Sequence, residues 1–301
     1  MTTLKPVLDY LIYNGLFYLV NEPMNRHTTF QIGGPADLVV YPTRRREICD
    51  LVQICRAEHI PYTTLGNGSN VLVSDAGIRG LVILTDRMHR ITVGNDGQIE
   101  AWAGAPLSRV ATTAKNYHLT GLEFAFGIPG SMGGAVYMNA GAYNRQMSNV
   151  ITKTEYVDET GTLRTLVGEE HAFGYRTSFF KDTGNIIVKT HLQLSPGNYD
   201  QINDQMKQYT QARRDKQPLE LPSAGSAFKR PEGHFAGKLI EDCGLKGRQI
   251  GGAQVSPKHA GFIVNVGGAK ACDVLALVQV IKTEVKETFG IELEPEIKFI
   301  G

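Results

Sequence analysis

Leu65-Gly66-Asn67-Gly68-Ser69-Asn70-Val71-Leu72-Val73 is the stretch on which the fold turns. A Gly-x-Gly pair at the end of a strand suggests a phosphate loop. The dinucleotide fingerprint of a doubly wound α/β sheet needs a third glycine and then a helix. Here β-branched Val71 and Val73 follow and return the chain to a strand. The doubly wound reading fails on its own terms. Two readings remain: a nest of backbone N–H groups around a pyrophosphate, or a plain tight turn.

Working outward, residues 36–41 and 61–65 read as strands. Between them Ile48, Leu51, Val52 and Cys55 follow the helical period, with Thr43 as a candidate cap. Downstream, residues 71–73, 80–84 and 99–103 read as short strands. A helix starts at Pro106 and carries Leu107, Val110, Ala111 and Ala114 on one face. Residues 150–157, 163–166 and 185–194 read as further strands. Leu194-Ser195-Pro196-Gly197 breaks the chain, and a helix bearing Ile202, Met206 and Tyr209 runs to the basic cluster Arg213, Arg214 and Lys216. The last helix has Asp273 as its expected cap, Val274, Leu277, Val278, Ile281 and Val285 as its stripe, and Gly290 as its stop. Residues 294–300 close the chain as a strand. Between the loop at 218–225 and about Phe289 the pattern reads as a smaller α+β segment.

The 301 residues favour two or three packed domains over one core. Hydrophobic residues make up 42% and charged residues 20%, as in ordinary globular chains. Lys plus Arg number 31 against 30 acidic residues, so no basic field points to nucleic acid. No run of 18 apolar residues exists, and the N-terminal stretch has no cleavage site, so the expectation is a cytoplasmic protein without a membrane span. Cys49, Cys55, Cys243 and Cys272 form no CxxC pair and read as buried thiols. There is no GxxxxGK[ST] loop and no HExxH or close His/Cys cluster, which disfavours a P-loop and a zinc site. Glu169, Glu170 and His171 read as a solvated turn.

The 33 glycines are clustered. Gly127-Ile128-Pro129-Gly130-Ser131-Met132-Gly133-Gly134-Ala135 permits close backbone approach to a flat ligand or a phosphate, or serves as a hinge. In Tyr175-Arg176-Thr177 the arginine is an anchored charge donor or a snorkelling surface side chain. Gly225 beside Ser226 exposes a hydroxyl outside any G-x-S-x-G elbow, which suits a proton donor better than an acyl nucleophile. Leu293-Glu294-Pro295-Glu296 places two carboxylates near the end of the chain, on a face that is solvated unless function requires otherwise.

Taken in order, these segments resemble the UDP-N-acetylenolpyruvoylglucosamine reductase family. Asn25-Arg26-His27-Thr28-Thr29-Phe30-Gln31-Ile32-Gly33-Gly34 is similar to the family's opening segment, and Gly244-Leu245-Lys246-Gly247 and Lys258-His259-Ala260-Gly261-Phe262 extend the match. The resemblance implies a three-domain α+β protein with a vanillyl-alcohol-oxidase (PCMH)-type FAD-binding part and a C-terminal substrate-binding domain. The implied division is residues 1–80 joined by 294–301, residues 81–200, and residues 201–293. It implies non-covalent FAD, held by Gly66, Asn67, Gly68, Ser69 and Asn70 and by Ile128, Pro129, Gly130, Ser131, Gly133 and Gly134. Arg176, Ser226 and Glu296 match the catalytic positions. Lys216, Lys246, His259 and Arg230 match substrate positions, Arg230 standing where some relatives carry Asn. The short 194–199 segment resembles the second subtype, which lacks a substrate-binding Tyr loop. NADPH and UDP-N-acetylenolpyruvoylglucosamine are the implied partners of a monomer. A flavin oxidase of the wider fold and a non-catalytic nucleotide-binding module are the competing readings.

Overall fold

The structure is a computed structural model that describes residues 4–301. The chain divides into two compact units, one built from residues 1–21, 37–67 and 79–211, the other from residues 22–36, 68–78 and 212–301.

The first unit contains two hydrophobic cores. Helix α1 (Lys5–Tyr13) and helix α2 (Arg45–Ala57) line one of them. Val7 and Leu11 of α1 and Ile48, Leu51, Val52 and Cys55 of α2 meet Leu38, Val40, Leu81 and Ile83 there. Those last four lie in a sheet of strand order Tyr18–Pro23, Pro35–Val40, Ile78–Leu84, Tyr62–Leu65. Helix α3 (Leu107–Asn116) and helix α4 (Met132–Tyr137) line the second core through Val110, Ala111, Ala114, Met132 and Val136. An antiparallel sheet serves both cores, in the order Leu163–Val167, Ile151–Val157, Ile186–Gln193, Gln98–Trp102, Ile91–Val93. Successive strand residues face opposite ways. Ile186 and Val188 accordingly enter the first core and Ile187 the second. Helix α5 (Tyr199–Lys216) follows, with Ile202 and Met206 buried.

The second unit has one core, formed by helix α6 (Ala236–Asp242), helix α7 (Ala271–Phe289) and an antiparallel sheet. The sheet order is Ser223–Ser226, Phe262–Asn265, Ala253–Val255, Gln249–Ile250. Val274, Leu277, Ile281 and Val285 are the buried stripe of α7, Val278 is only partly buried, and Gly290 ends the helix in the left-handed region at φ +71°. Phe30, Ile32 and Leu72, far upstream, complete this core. Among the described residues no helix is long and apolar enough to cross a membrane.

Several local expectations change. Thr43 is not the side-chain cap of α2: the backbone N–H groups of Thr43 and Arg44 donate to the Glu47 carboxylate at 2.7 and 3.1 Å. Asp273 is not the cap residue of α7 either. It sits inside the first turn and accepts from the Lys270 N–H at 3.0 Å, while Asp75 accepts from Ala271 and Cys272 at 2.7 and 3.0 Å. A remote carboxylate thus satisfies two of the orphan N–H groups of a helix start. Only Lys298–Ile300 of the expected final strand is regular, in parallel with Val71–Val73. All four cysteines are free, but only Cys55 is buried: Cys49 and Cys243 are half-buried and Cys272 is exposed. His171 is fully buried, so only Glu169 and Glu170 of that triplet face solvent.

Candidate active site

In the first unit the strand Tyr62–Leu65 delivers Gly66, and the Thr85 hydroxyl donates to the Leu65 carbonyl at 3.3 Å. A Cβ on Gly66 would stand 2.0 Å from the Ser131 hydroxyl oxygen. The two glycine-rich loops are therefore in direct contact, and glycine at position 66 is what permits it. Ser131 is buried and caps α4 by accepting from the Gly134 N–H at 3.4 Å. Its neighbours are anchored: Leu107 N–H donates to Gly130, Met132 N–H to Ala105 and Gly133 N–H to Ala103, each at 2.8 Å. Those backbone groups are used within the fold. Gly134 is exposed, with only the Ser131 hydroxyl near an added Cβ, and keeps an open face.

In the second unit Gly68, at φ +59°, packs so closely that a Cβ would stand 2.1 Å from the His27 carbonyl oxygen. Its own carbonyl accepts from the Thr29 N–H at 3.1 Å. Among the described residues, none accepts from the N–H groups of Gly68, Ser69 and Asn70. Gly68 is buried and the other two are half-buried. Successive N–H donors left without partners at such depth are costly unless a ligand takes them, and a pyrophosphate oxygen fits them. This donor set fits the pyrophosphate of a bound dinucleotide cofactor.

The same unit brings Ser226 and Glu296 together. Strand Ser223–Ser226 is bulged: Ser223 faces Val264 and Ser226 faces Phe262, so the pairing shifts between them. Gly225 makes the bulge possible at φ +77°, where a side chain would be strained. Ser226 comes out exposed. Ala227 next to it donates to Gly261 at 2.8 Å and accepts from the Glu296 N–H at 2.9 Å. The Glu296 carbonyl in turn accepts from the Asn70 side-chain amide at 3.1 Å. An isolated bridge between Phe228 and Pro295 and the Lys229–Glu294 ion pair continue the seam. Glu296 is half-buried, whereas Glu294 is exposed.

Arg176 belongs to the first unit. It occupies the third position of the turn Gly174-Tyr175-Arg176-Thr177, at φ +54°. Gly174 and Thr177 close the turn with paired backbone hydrogen bonds of 3.1 and 3.4 Å. The guanidinium is half-buried, donates to the Gly141 carbonyl at 3.4 Å from both terminal nitrogens, and lies 5.3 Å from the Tyr175 ring centroid. Two further residues, Asn139 and His171, hold this loop. Asn139, 1% exposed, donates to Gly174 at 3.0 Å. His171 accepts from Phe179 N–H at 2.7 Å through its carbonyl, and its ring stacks on Phe173. A buried polar residue inside a small-residue run was the available signal for Asn139.

Of the four candidate substrate residues, His259 and Lys246 are coupled electrostatically. Burial holds the His259 imidazole below its ordinary pKa, and the Lys246 charge adds to the effect. His259 Nδ1 accepts from the Gly261 N–H at 3.1 Å, so the neutral ring carries its proton on Nε2. Lys246 pairs with Glu241 at 2.8 Å. Lys216 is exposed at the end of α5. Arg230 folds onto its own loop, donating to His234 at 3.2 Å with its guanidinium 4.0 Å from the Phe235 centroid.

Residues 217–300 match the family model of the UDP-N-acetylenolpyruvoylglucosamine reductase C-terminal domain. Residues 36–166 match the model of an FAD binding domain. A UDP-N-acetylenolpyruvoylglucosamine reductase of Caldanaerobacter subterraneus subsp. tengcongensis is 49% identical over 294 residues, 98% of this chain and 97% of that one. One from Clostridium perfringens is 46% identical over 289 residues, covering 96% and 95%. The crystal structure of UDP-N-acetylenolpyruvylglucosamine reductase from Thermus caldophilus superimposes with a TM-score of 0.80 at 35% identity, over 95% of this chain and 99% of that one. A berberine bridge enzyme variant, 13% identical with a TM-score of 0.51 over 65% of this chain and 44% of that one, shares the fold alone.

Proposed function

This chain belongs to the UDP-N-acetylenolpyruvoylglucosamine reductase family, and on that premise we propose that it reduces the enolpyruvyl double bond of UDP-N-acetylenolpyruvoylglucosamine to UDP-N-acetylmuramate. FAD is the cofactor and NADPH the hydride donor, and the reaction serves peptidoglycan precursor biosynthesis. The observation that carries this reading is the seam in which Glu296 is bonded on one side to Ala227, next to Ser226, and on the other to Asn70 of the cofactor loop.

When bound, FAD supplies hydride taken from NADPH. The chain's residues supply positioning, charge and the proton. Gly68, Ser69 and Asn70 offer backbone donors to the pyrophosphate, and the 128–134 loop offers a surface without side chains at Gly134. Gly66, Asn67, Ile128, Pro129, Gly130, Ser131 and Gly133 complete the cofactor set. As the methylene carbon of the enolpyruvyl group gains hydride, negative charge develops toward its carboxylate. Arg176 stabilises that charge, and a preorganised cation acts most where charge is forming. Ser226 gives the hydroxyl proton to the adjacent carbon, which completes the addition of two hydrogens across the double bond. Glu296 is the hydrogen-bonding or proton-bearing partner at this centre. Neutral His259, through Nε2–H, and Lys246, Lys216 and Arg230 bind the UDP diphosphate and sugar.

Residues 1–80 with 294–301, 81–200 and 201–293 form the three domains of this reading. Leu194–Tyr199 has no room for an inserted Tyr loop, in keeping with the second subtype. The protein acts as a cytoplasmic monomer. Anaerobic addition of NADPH and enolpyruvyl-UDP-GlcNAc to the yellow holoenzyme gives NADPH-dependent formation of UDP-N-acetylmuramate. Oxygen consumption without NADPH, or a colourless protein that binds the UDP-sugar, overturns the assignment.

A further inference from the structure

We propose that Asn139 is a positioning residue for Arg176, setting the backbone conformation from which the guanidinium acts. The inference rests on the reading of Arg176 given above and deepens it.

Asn139 lies just beyond α4, at φ +42°, a left-handed conformation that asparagine tolerates better than most residues. Its side chain is engaged inside the first unit through both its oxygen and its nitrogen. The carbonyl oxygen accepts from the Ser148 N–H at 2.9 Å, and the amide nitrogen donates to the Gly174 carbonyl at 3.0 Å. Gly174 is the first residue of the turn whose third residue is Arg176. That turn holds a non-glycine residue at φ +54°, which costs about 1–2 kcal/mol and persists only where surrounding contacts over-determine it. The contacts are here: Asn139 grips the first residue of the turn, and the Ser178 hydroxyl donates to Tyr137 at 2.8 Å beyond its end.

The same short segment also reaches the side chain. Gly141, two residues after Asn139, accepts from the guanidinium. One stretch of chain therefore holds Arg176 by the base of its turn and by its charged end. With Asn139 removed, the turn can relax toward a right-handed backbone and swing the guanidinium away. A catalytic group misplaced by about 1 Å typically costs about 100-fold in rate.

The test compares Asn139→Ala, Arg176→Ala and the double variant as purified holoenzymes. Stopped flow follows reduction by NADPH and then reoxidation by enolpyruvyl-UDP-GlcNAc. Amide hydrogen exchange follows Thr177 and Phe179. The expected result for Asn139→Ala is unchanged reduction, reoxidation slower by about 100-fold, and faster exchange at Thr177. In the double variant Asn139→Ala adds no further loss, because it acts only through the guanidinium. Equal slowing of both half-reactions, or losses that multiply in the double variant, overturns the inference. Should Asn139→Ala not fold, Asn139→Asp keeps the acceptor for Ser148, removes the donor to Gly174 and is read by the same criteria. If Arg176→Ala itself leaves reoxidation unchanged, it is the role of Arg176 that fails, and that result is read without reference to Asn139.

Discussion

The side-chain amide of Asn70 donates to the main-chain carbonyl of Glu296 across 226 residues of sequence. The Asn70 carbonyl accepts in return from the Lys298 N–H at 3.0 Å. Asn70 is thus a cofactor-loop residue that also seats the final carboxylate. Replacing it by Ala leaves the Glu296 carbonyl short of a partner, at a stability cost of about 1 kcal/mol. Asn70→Ala is expected to slow reoxidation by the UDP-sugar about tenfold, equivalent to about 1.4 kcal/mol of barrier. Thermal melting and the two half-reactions check this. An unaltered reoxidation rate would make the Asn70–Glu296 bond incidental to chemistry.

Gly66→Ala drives a methyl group into the Ser131 hydroxyl, at a starting separation of 2.0 Å. Overpacking of this kind costs about 1–3 kcal/mol. The variant is expected to melt earlier and to retain less flavin, read as the ratio of visible to ultraviolet absorbance. Ser131→Ala removes the offending oxygen, and the nearest remaining contact is the position 131 Cβ at 3.1 Å. The double variant should therefore recover much of the loss. Failure of Ser131→Ala to restore either property counts against a packing origin.

Ser226→Ala tests the proton donor. Ser226 sits on the bulge with an exposed side chain, so truncation leaves the strand pairing intact. The expected outcome is normal flavin reduction by NADPH and reoxidation slower by about 100- to 10,000-fold. Equal loss in both half-reactions, measured by stopped flow, refutes the assignment.

The pH dependence of stability follows from two histidines. Burial holds both His171 and His259 below their ordinary pKa. Below about pH 6.5 the unfolded chain takes up these protons more readily than the folded one. Their contribution is complete above that pH and is lost as pH falls toward the folded values. Melting temperature should be level above about 6.5 and decline below it. His171 is bonded to Thr154 and to Gly168 at 2.9 and 2.8 Å. In His171→Gln the decline should be shallower; an identical pH profile in wild type and variant would show that His171 contributes nothing to it.

Much of the fold was readable because helices and strands announce themselves locally. The stripe Val274, Leu277, Ile281 and Val285 and the Gly290 stop were found where expected. So was α3, with Leu107, Val110, Ala111 and Ala114 buried. The helix starts were harder. Glu47 reaching back to Thr43, and Asp75 reaching α7 from almost two hundred residues upstream, are choices among several acceptors that spacing does not rank. The candidate site was legible as a series of motifs. The bond from Asn139 to Gly174 was out of reach, because nothing local shows which buried carbonyl a side-chain amide will find.

Taken alone, the order of amino acids determined the element types and the exclusion of a doubly wound dinucleotide fold, and its ordered motifs carried the family resemblance that implied the cofactor and substrate. The first two rest on neighbouring residues: periodicity, β-branching after Gly68, and glycines where the backbone must turn or touch. Only the tertiary structure decided that Glu296 is seated between Ala227 and Asn70, that Ser131 fills the space glycine leaves at position 66, and that Arg176 hangs on a turn gripped by Asn139. Such pairings are long-range. They form where burial forces each polar group to find a partner, and that partner is chosen by packing rather than by distance along the chain.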